Sequence, residues 1–281
     1  MERSRAPQES LSSPSPFAEA SPYYQFRAPY APAALEYAWD TLRLDHESRA
    51  MDLGCGPGTL SIPLSRRVGE VLAVDPSSEM IAEGRARADA AQCHNIAWVC
   101  ARAEEVGEDF GRFSVVTIGQ AFHWMDRDLV LRRIERMLDP QHGALVLINP
   151  GKRRPQESWE PTVDRLVARY LGARSRHPSM NAEAKHEFAL LRSSSFSQFT
   201  AREFSIDIER DLPSIVGHVY SLSTSPRSAF GERLAQFERE LTQALLAMNP
   251  CGVFKERVAT EVLIARLHRG QDPVGGAVGQ K

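Results

Sequence analysis

The run Ala50-Met51-Asp52-Leu53-Gly54-Cys55-Gly56-Pro57-Gly58-Thr59, followed by Val71-Leu72-Ala73-Val74-Asp75-Pro76, decides the fold. Each opens on a short apolar stretch bounded by turn residues, which reads as a buried strand, and the helix-compatible residues Thr59–Val68 lie between them. Together they make one βαβ unit. Glycines between strand and helix let the chain turn tightly and let a ligand approach the main chain where a side chain would collide. Asp75 falls 21 positions after Gly54, at the tip of the second strand. A carboxylate there can accept hydrogen bonds from both ribose hydroxyls of an adenosine ligand.

Outward from this unit the alternation continues. A helix is expected near Ser77–Ala90, strands at Ile96–Cys100 and Phe113–Ile118, a helix near Asp126–Leu138 and a strand at Ala144–Ile148. Such a pattern argues for an α/β fold, a doubly wound parallel sheet with helices on both faces. After Pro150 the pattern changes. Ser158–Leu171 and Met180–Leu191 read as helices with no apolar strand before Phe199, which suits a helical lid or cap over 151–198. Phe204–Ile208 alternates with a period of two, helices follow near Pro213–Ser223 and Ser228–Met248, and Val258–Leu267 reads as a last strand. Residues 1–16 are polar and rich in serine and proline, and 270–281 hold few large apolar residues. Both are expected to be flexible tails around one domain, 17–269.

The dinucleotide fingerprint G-x-G-x-x-G requires a third glycine where this chain has Thr59. That sets nicotinamide-linked oxidoreductases apart. The D-x-G-x-G-x-G arrangement of Asp52–Gly58 resembles motif I of class I S-adenosylmethionine (SAM)-dependent methyltransferases, and Leu72-Ala73-Val74-Asp75-Pro76-Ser77-Ser78-Glu79-Met80 resembles the segment that follows it. The resemblance covers about residues 23–150 and is similar to the bacterial small-molecule group that includes trans-aconitate methyltransferases. It implies a Rossmann-like, seven-stranded, mostly parallel sheet and SAM as the cofactor.

It also implies site residues. The motif I turn wraps the methionine end of SAM, which implicates Asp52, Gly54 and Gly56, while Asp75 would hold the ribose and Pro76 and Met80 would pack near the adenine. The family's G-D-A-E segment is replaced by Ala101-Arg102-Ala103-Glu104, so the amide of Ala103 and the carboxylate of Glu104 are the adenine-side candidates. In Gly119-Gln120-Ala121-Phe122-His123-Trp124-Met125, the carbonyls of Gly119 or Gln120 would hold the SAM ammonium, and His123 and Trp124 would face the reacting methyl or the adenine. Upstream, Tyr23-Tyr24-Gln25-Phe26-Arg27-Ala28-Pro29-Tyr30 resembles a segment that folds over the cofactor, with Arg27 gripping the SAM carboxylate through two parallel hydrogen bonds. Tyr23, Tyr24, Tyr30 and Trp159 are candidates for an electron-rich wall beside sulfonium and substrate. His123, with Tyr24, is the candidate catalytic group, since a base of near-neutral pKa helps when the nucleophile carries a proton. Basic residues at Lys152–Arg154, Arg174, Arg176, His177 and His186 cluster where substrate specificity usually lies in this family.

Composition narrows the partners. With 42% hydrophobic and 25% charged residues and a formal net charge of −2, there is no electrostatic case for nucleic acid. No N-P-P-Y-like signature follows the fourth strand either, so a small-molecule substrate is expected. Cys55, Cys93, Cys100 and Cys251 are scattered without metal-ligand spacing, no metal is called for, and reduced thiols suit the cytoplasm. No apolar run approaches the ~18 residues of a membrane span, and no apolar segment follows the basic residues at the start. The function expected is direct in-line methyl transfer to a small metabolite, of the kind found in secondary metabolism, by a monomer or a homodimer. Two alternatives stay open: an enzyme in which SAM itself cyclises and releases methylthioadenosine, and a SAM-binding protein without turnover.

Overall fold

The computed structural model describes residues 19–151, 159–172 and 187–267. Seven strands form one sheet in the order β3-β2-β1-β4-β5-β7-β6. They are β1 (Arg49–Leu53), β2 (Glu70–Asp75), β3 (Ile96–Cys100), β4 (Val115–Gly119), β5 (Ala144–Pro150), β6 (Gln198–Asp211) and β7 (Val253–Arg266). The first five are mutually parallel, and β7 runs antiparallel to both β5 and β6. The expected tails, the basic cluster after β5 and much of the expected lid lie outside the described residues.

The central strands β1, β4 and β5 are almost wholly buried. Helices cover both faces there, which is why these strands read as continuous apolar runs instead of alternating ones. The β6–β7 hairpin is longer than its apolar pattern suggests, paired from Gln198↔Arg266 to Asp211↔Val253. Much of β6 is an exposed edge carrying Arg202, Glu203, Asp207 and Glu209. An edge strand has no second neighbour to bury its outer face, and charges there oppose pairing with foreign strands.

The helices before the lid stretch are α1 (Pro32–Leu42), α2 (Ser61–Ser65), α3 (Ser78–Ala90) and α4 (Arg127–Met137). In α4 the local logic is plain: Asp126 caps the start by accepting the Leu129 amide at 3.0 Å. One face then carries Val130, Leu131, Ile134 and Met137 into the core, each stabilising by about 1.5–3 kcal/mol. Regular helix at α2 is shorter than Thr59–Val68, because the residues before Ser61 are used in the turn. Within the expected lid, α5 (Glu160–Leu171) and residues 187–192 are helical. The expected helix Ser228–Met248 is broken at Gly231, whose φ of 51° ends a 3-10 segment before a regular helix Leu234–Met248.

Two apolar layers pack on the two faces of the sheet. A third cluster joins α5 to the helices Leu212–Tyr220 and Leu234–Met248. The 3-10 turn Ser21–Phe26 docks on that cluster through Tyr23, whose ring meets Tyr220 edge-on at 5.3 Å, and this carries the N-terminal segment across the carboxyl end of the sheet.

Candidate active site

Strand order reverses between β1 and β4, and a crevice opens beyond the carboxyl ends of strands at such a switch point. A cavity of about 170 Å³ lies there, and Tyr24, Arg27, Tyr30, Asp52, Gly54, Gly119 and Gln120 are among its lining residues. Seven sequence-predicted residues, from three separate stretches of chain, thus meet around one space.

The turn after β1 has the geometry its glycines allow. Gly54 has φ +67°, and a Cβ on it would lie 2.4 Å from the Cβ of Ala121, so no other residue fits without displacing the loop after β4. Gly54 and Cys55 donate their amides to the Val74 carbonyl at 2.8 and 3.0 Å, which ties the turn to β2. Asp75, at the tip of β2, accepts the Gly56 amide on Oδ2 and the Ser77 amide on Oδ1, both at 2.9 Å. Each oxygen keeps a lone pair for a further donor. Burial raises this carboxyl above its usual range, and the two amides pull it back down. Met80 is buried just beyond, with its amide capped by Ser77, while Pro76 is exposed.

Asp52 lies beneath the turn, 1% exposed. Ser61 Oγ donates to its Oδ2 at 2.6 Å and Thr117 Oγ1 donates to its Oδ1 at 2.8 Å. Loss of solvent pushes this carboxyl up to about 6, against the lowering effect of both hydroxyls. Among the described residues no Lys, Arg or His pairs with it. Thr117 belongs to no motif, yet it is the polar member of the run Val115–Ile118 and is in register with Asp52.

The N-terminal segment covers the cavity as a strap. Phe26 occupies the space left open by Gly217, Arg210 Nη1 donates to the Phe26 carbonyl at 2.8 Å, and the Ala31 amide donates to Thr260 Oγ1 at 2.9 Å. Arg27 donates from Nη2 to the Ser221 carbonyl at 2.7 Å and from Nη1 to the Tyr24 hydroxyl at 3.2 Å, with its guanidinium 4.2 Å above the Tyr24 ring. Its Nε is buried without a partner. Gln120 Nε2 donates to the Tyr30 hydroxyl at 3.3 Å, and burial pushes that phenol far up.

Other predicted residues stand outside the cavity lining. His123 and Trp124 occupy the 3-10 turn Phe122–Trp124, their rings 5.3 Å apart, with His123 half-buried and Trp124 52% exposed. Glu104 accepts the Asp126 amide at 2.8 Å and faces Arg102 at 3.5 Å, so it clamps the loop that carries His123. Ala103 is buried beside it. Trp159 is buried in the third apolar cluster, edge-on to His218 at 5.5 Å, and Tyr23 packs on Tyr220 in that cluster. The residues missed in sequence, Ser61, Thr117 and Ser221, all act by holding a predicted one, and short polar residues of this kind carry no motif of their own.

Comparison with known proteins bears on the fold. Residues 50–141 match the family model described as a methyltransferase domain. The ubiquinone biosynthesis O-methyltransferase of Bradyrhizobium diazoefficiens is 36% identical over 100 residues, 35% of this chain and 38% of that protein. A human tRNA (uracil-5-)-methyltransferase homolog is 30% identical over 84 residues, 30% of this chain and 13% of that protein. The matched stretches span well under two thirds of these relatives. Among solved structures, a protein from Anaeromyxobacter dehalogenans assigned as a type II methyltransferase superposes with a TM-score of 0.62 at 22% identity, covering 85% of this chain and 96% of that one. A SAM-dependent methyltransferase from Thiobacillus denitrificans, solved with S-adenosylhomocysteine, superposes with a TM-score of 0.55 at 15% identity, covering 92% of this chain and all of that one. Residues 50–141 are therefore similar to a methyltransferase domain, and the seven-stranded sheet in which they lie has the class I methyltransferase fold.

Proposed function

We propose that this chain is a SAM-dependent methyltransferase that acts on a small metabolite by direct in-line transfer. One observation carries the reading: the cavity holds a buried carboxylate, Asp52, with no cation partner among the described residues, and a guanidinium, Arg27, with its Nε unsatisfied. The zwitterionic amino-acid end of SAM complements both charges. Asp75 suits the ribose, and Pro76, Met80 and Ala103 suit the adenine side.

When bound, SAM supplies a methyl carbon made electrophilic by its sulfonium. The work left to the protein is to bind, orient and exclude water. The glycine turn and the Gly119–Gln120 strand end shape the floor, and the strap from Tyr24 to Tyr30 closes over it. Holding two reactants in line contributes about 7–11 kcal/mol in favourable intramolecular cases. His123, on the turn after β4, is the candidate base for an acceptor that carries a proton, with Tyr24 the candidate catalytic hydroxyl. Tyr23, Tyr30, Trp124 and Trp159 are the proposed aromatic contacts on the substrate side.

A small acceptor of the kind used by trans-aconitate methyltransferases is supported by the strap over the cavity and by the absence of a net positive charge. The match to the tRNA-modifying relative covers 30% of this chain and 13% of that protein. No helix among the described residues is long and apolar enough to cross a membrane. A cytoplasmic setting, a role in secondary metabolism and a homodimeric form belong to the same proposal.

The test is to incubate purified protein with SAM, alone and with a panel of small carboxylates and phenols, and to follow products by mass spectrometry. S-adenosylhomocysteine formed only with an added acceptor supports the reading and identifies the acceptor. Methylthioadenosine from SAM alone would show that SAM is the substrate, and absence of SAM binding would refute both.

A further inference from the structure

We propose that Trp98, on β3, is a positioning residue for the cofactor: its indole backs the glycine turn, and Gly84 in α3 carries no side chain so that the ring can stand there. The inference rests on the SAM reading above and concerns the side of the turn that does not face the ligand.

Two glycines from separate elements make room for one ring. A Cβ on Gly58 would stand 2.8 Å from Trp98 Cη2, and a Cβ on Gly84 would stand 2.6 Å from that same carbon and 2.5 Å from Cζ3. Packed carbons do not approach so closely, so neither position admits a side chain while the indole stays where it is. At Gly84 no positive φ calls for glycine, and the residue lies inside α3, where alanine is the better helix former. Space for the ring is what the missing side chain supplies. The turn itself has two sides. Gly54, Cys55, Thr59 and Leu60 line the cavity, whereas Gly58, between them, is directed at Trp98. Behind the turn, Cys55, Ala73 and Ile81 form a small buried cluster with Ile96 and Trp98 packed against it, which joins the turn, β2, α3 and β3. Arg85 Nη2 donates to the Trp98 carbonyl at 3.2 Å, so α3 is fastened to the same residue. An indole is rigid and has no flexible end to yield, so a push on its edge from α3 is passed to Gly58. The displacement would reach the ribose acid as well, since Asp75 holds the Gly56 amide of the turn and the amide of Ser77, the cap of α3.

The test is a double-mutant cycle on the full chain: wild type, Gly84→Ala, Trp98→Phe and Gly84→Ala/Trp98→Phe, each measured by calorimetric titration with SAM and by urea unfolding. Gly84→Ala, a change on a helix that touches no ligand, is expected to weaken SAM by about 10-fold, the size of coupling found between residues in contact. Trp98→Phe keeps an aromatic ring on β3 but withdraws its far edge from both glycines, and is expected to weaken SAM by about 3-fold or more. The double variant should bind SAM no worse than Trp98→Phe alone, because beside the shorter ring the alanine has room. An indole that only packs would shift the urea midpoint and leave SAM affinity at the wild-type level. Gly84→Ala with wild-type affinity, or a double variant in which the two losses add, would therefore overturn the proposal. Should Gly84→Ala fail to fold, Trp98→Phe decides, and wild-type affinity there would overturn it too. A wild-type protein that does not bind SAM would instead overturn the SAM reading.

Discussion

Replacing Asp52 by Asn should stabilise the ligand-free protein and at the same time weaken its affinity for SAM. Asp52 is buried, uncompensated by any cation among the described residues, and raised from 3.8 to about 6. A carboxyl with a higher pKa folded than unfolded makes the native state bind more protons between those two values. Stability therefore falls as pH rises through about 3.8 to 6 and stays reduced above it. The full shift corresponds to on the order of 3 kcal/mol. Asparagine keeps the shape and one acceptor for Ser61 or Thr117 but gives up a charge-assisted bond, so a net gain of about 1–2 kcal/mol is expected. At about 2–4 °C per kcal/mol, thermal unfolding at pH 7.5 should shift upward by several degrees. The gain should shrink toward pH 5, where the wild-type carboxyl is already largely neutral. Calorimetric titration with SAM on the same samples should show affinity lower by tenfold or more. An Asp52→Asn variant less stable than wild type at pH 7.5, or one that binds SAM unchanged, would refute the claim that this carboxylate is held for a cationic ligand.

Three further outcomes follow from the site. Asp75→Ala should weaken SAM by about tenfold or more in a binding titration, because a carboxylate with a lone pair left on each oxygen is lost, and it should also loosen the glycine turn through Gly56. Unchanged affinity would remove Asp75 from the ribose. Gly54→Ala should destabilise by several kcal/mol, seen in urea unfolding, since the new Cβ would stand 2.4 Å from Ala121 at a positive φ. His123→Ala should slow turnover more than it weakens SAM binding, measured as kcat against Kd; if both stay at wild-type values, His123 is a packing residue of the turn after β4.

The alternation from β1 to β5 was legible because a parallel sheet covered on both faces makes each strand a short apolar run and each helix an amphipathic one. The long hairpin of β6 and β7 was only half legible, since the outer strand is solvated and its charges erase the alternation. The break at Gly231 was hidden because the residues around it remain helix-compatible, and one glycine at positive φ ends the ladder without any change in pattern.

The βαβ unit, the glycine turn and the acid at the tip of β2 can be read from the residues alone, because they depend on local spacing: a turn without side chains, then one helix and one strand from Gly54 to Asp75. Which side chains face the cavity depends on contacts between distant parts of the chain. Arg27 is 194 residues from the Ser221 carbonyl it binds, Tyr30 is 90 from Gln120, and Thr117 is 65 from Asp52. None of those partners has a pattern that spacing can reveal, and each is set by which strands and helices are neighbours. The charge state of Asp52 is decided in the same way, since a carboxyl rises only when the chain around it excludes water and supplies no cation.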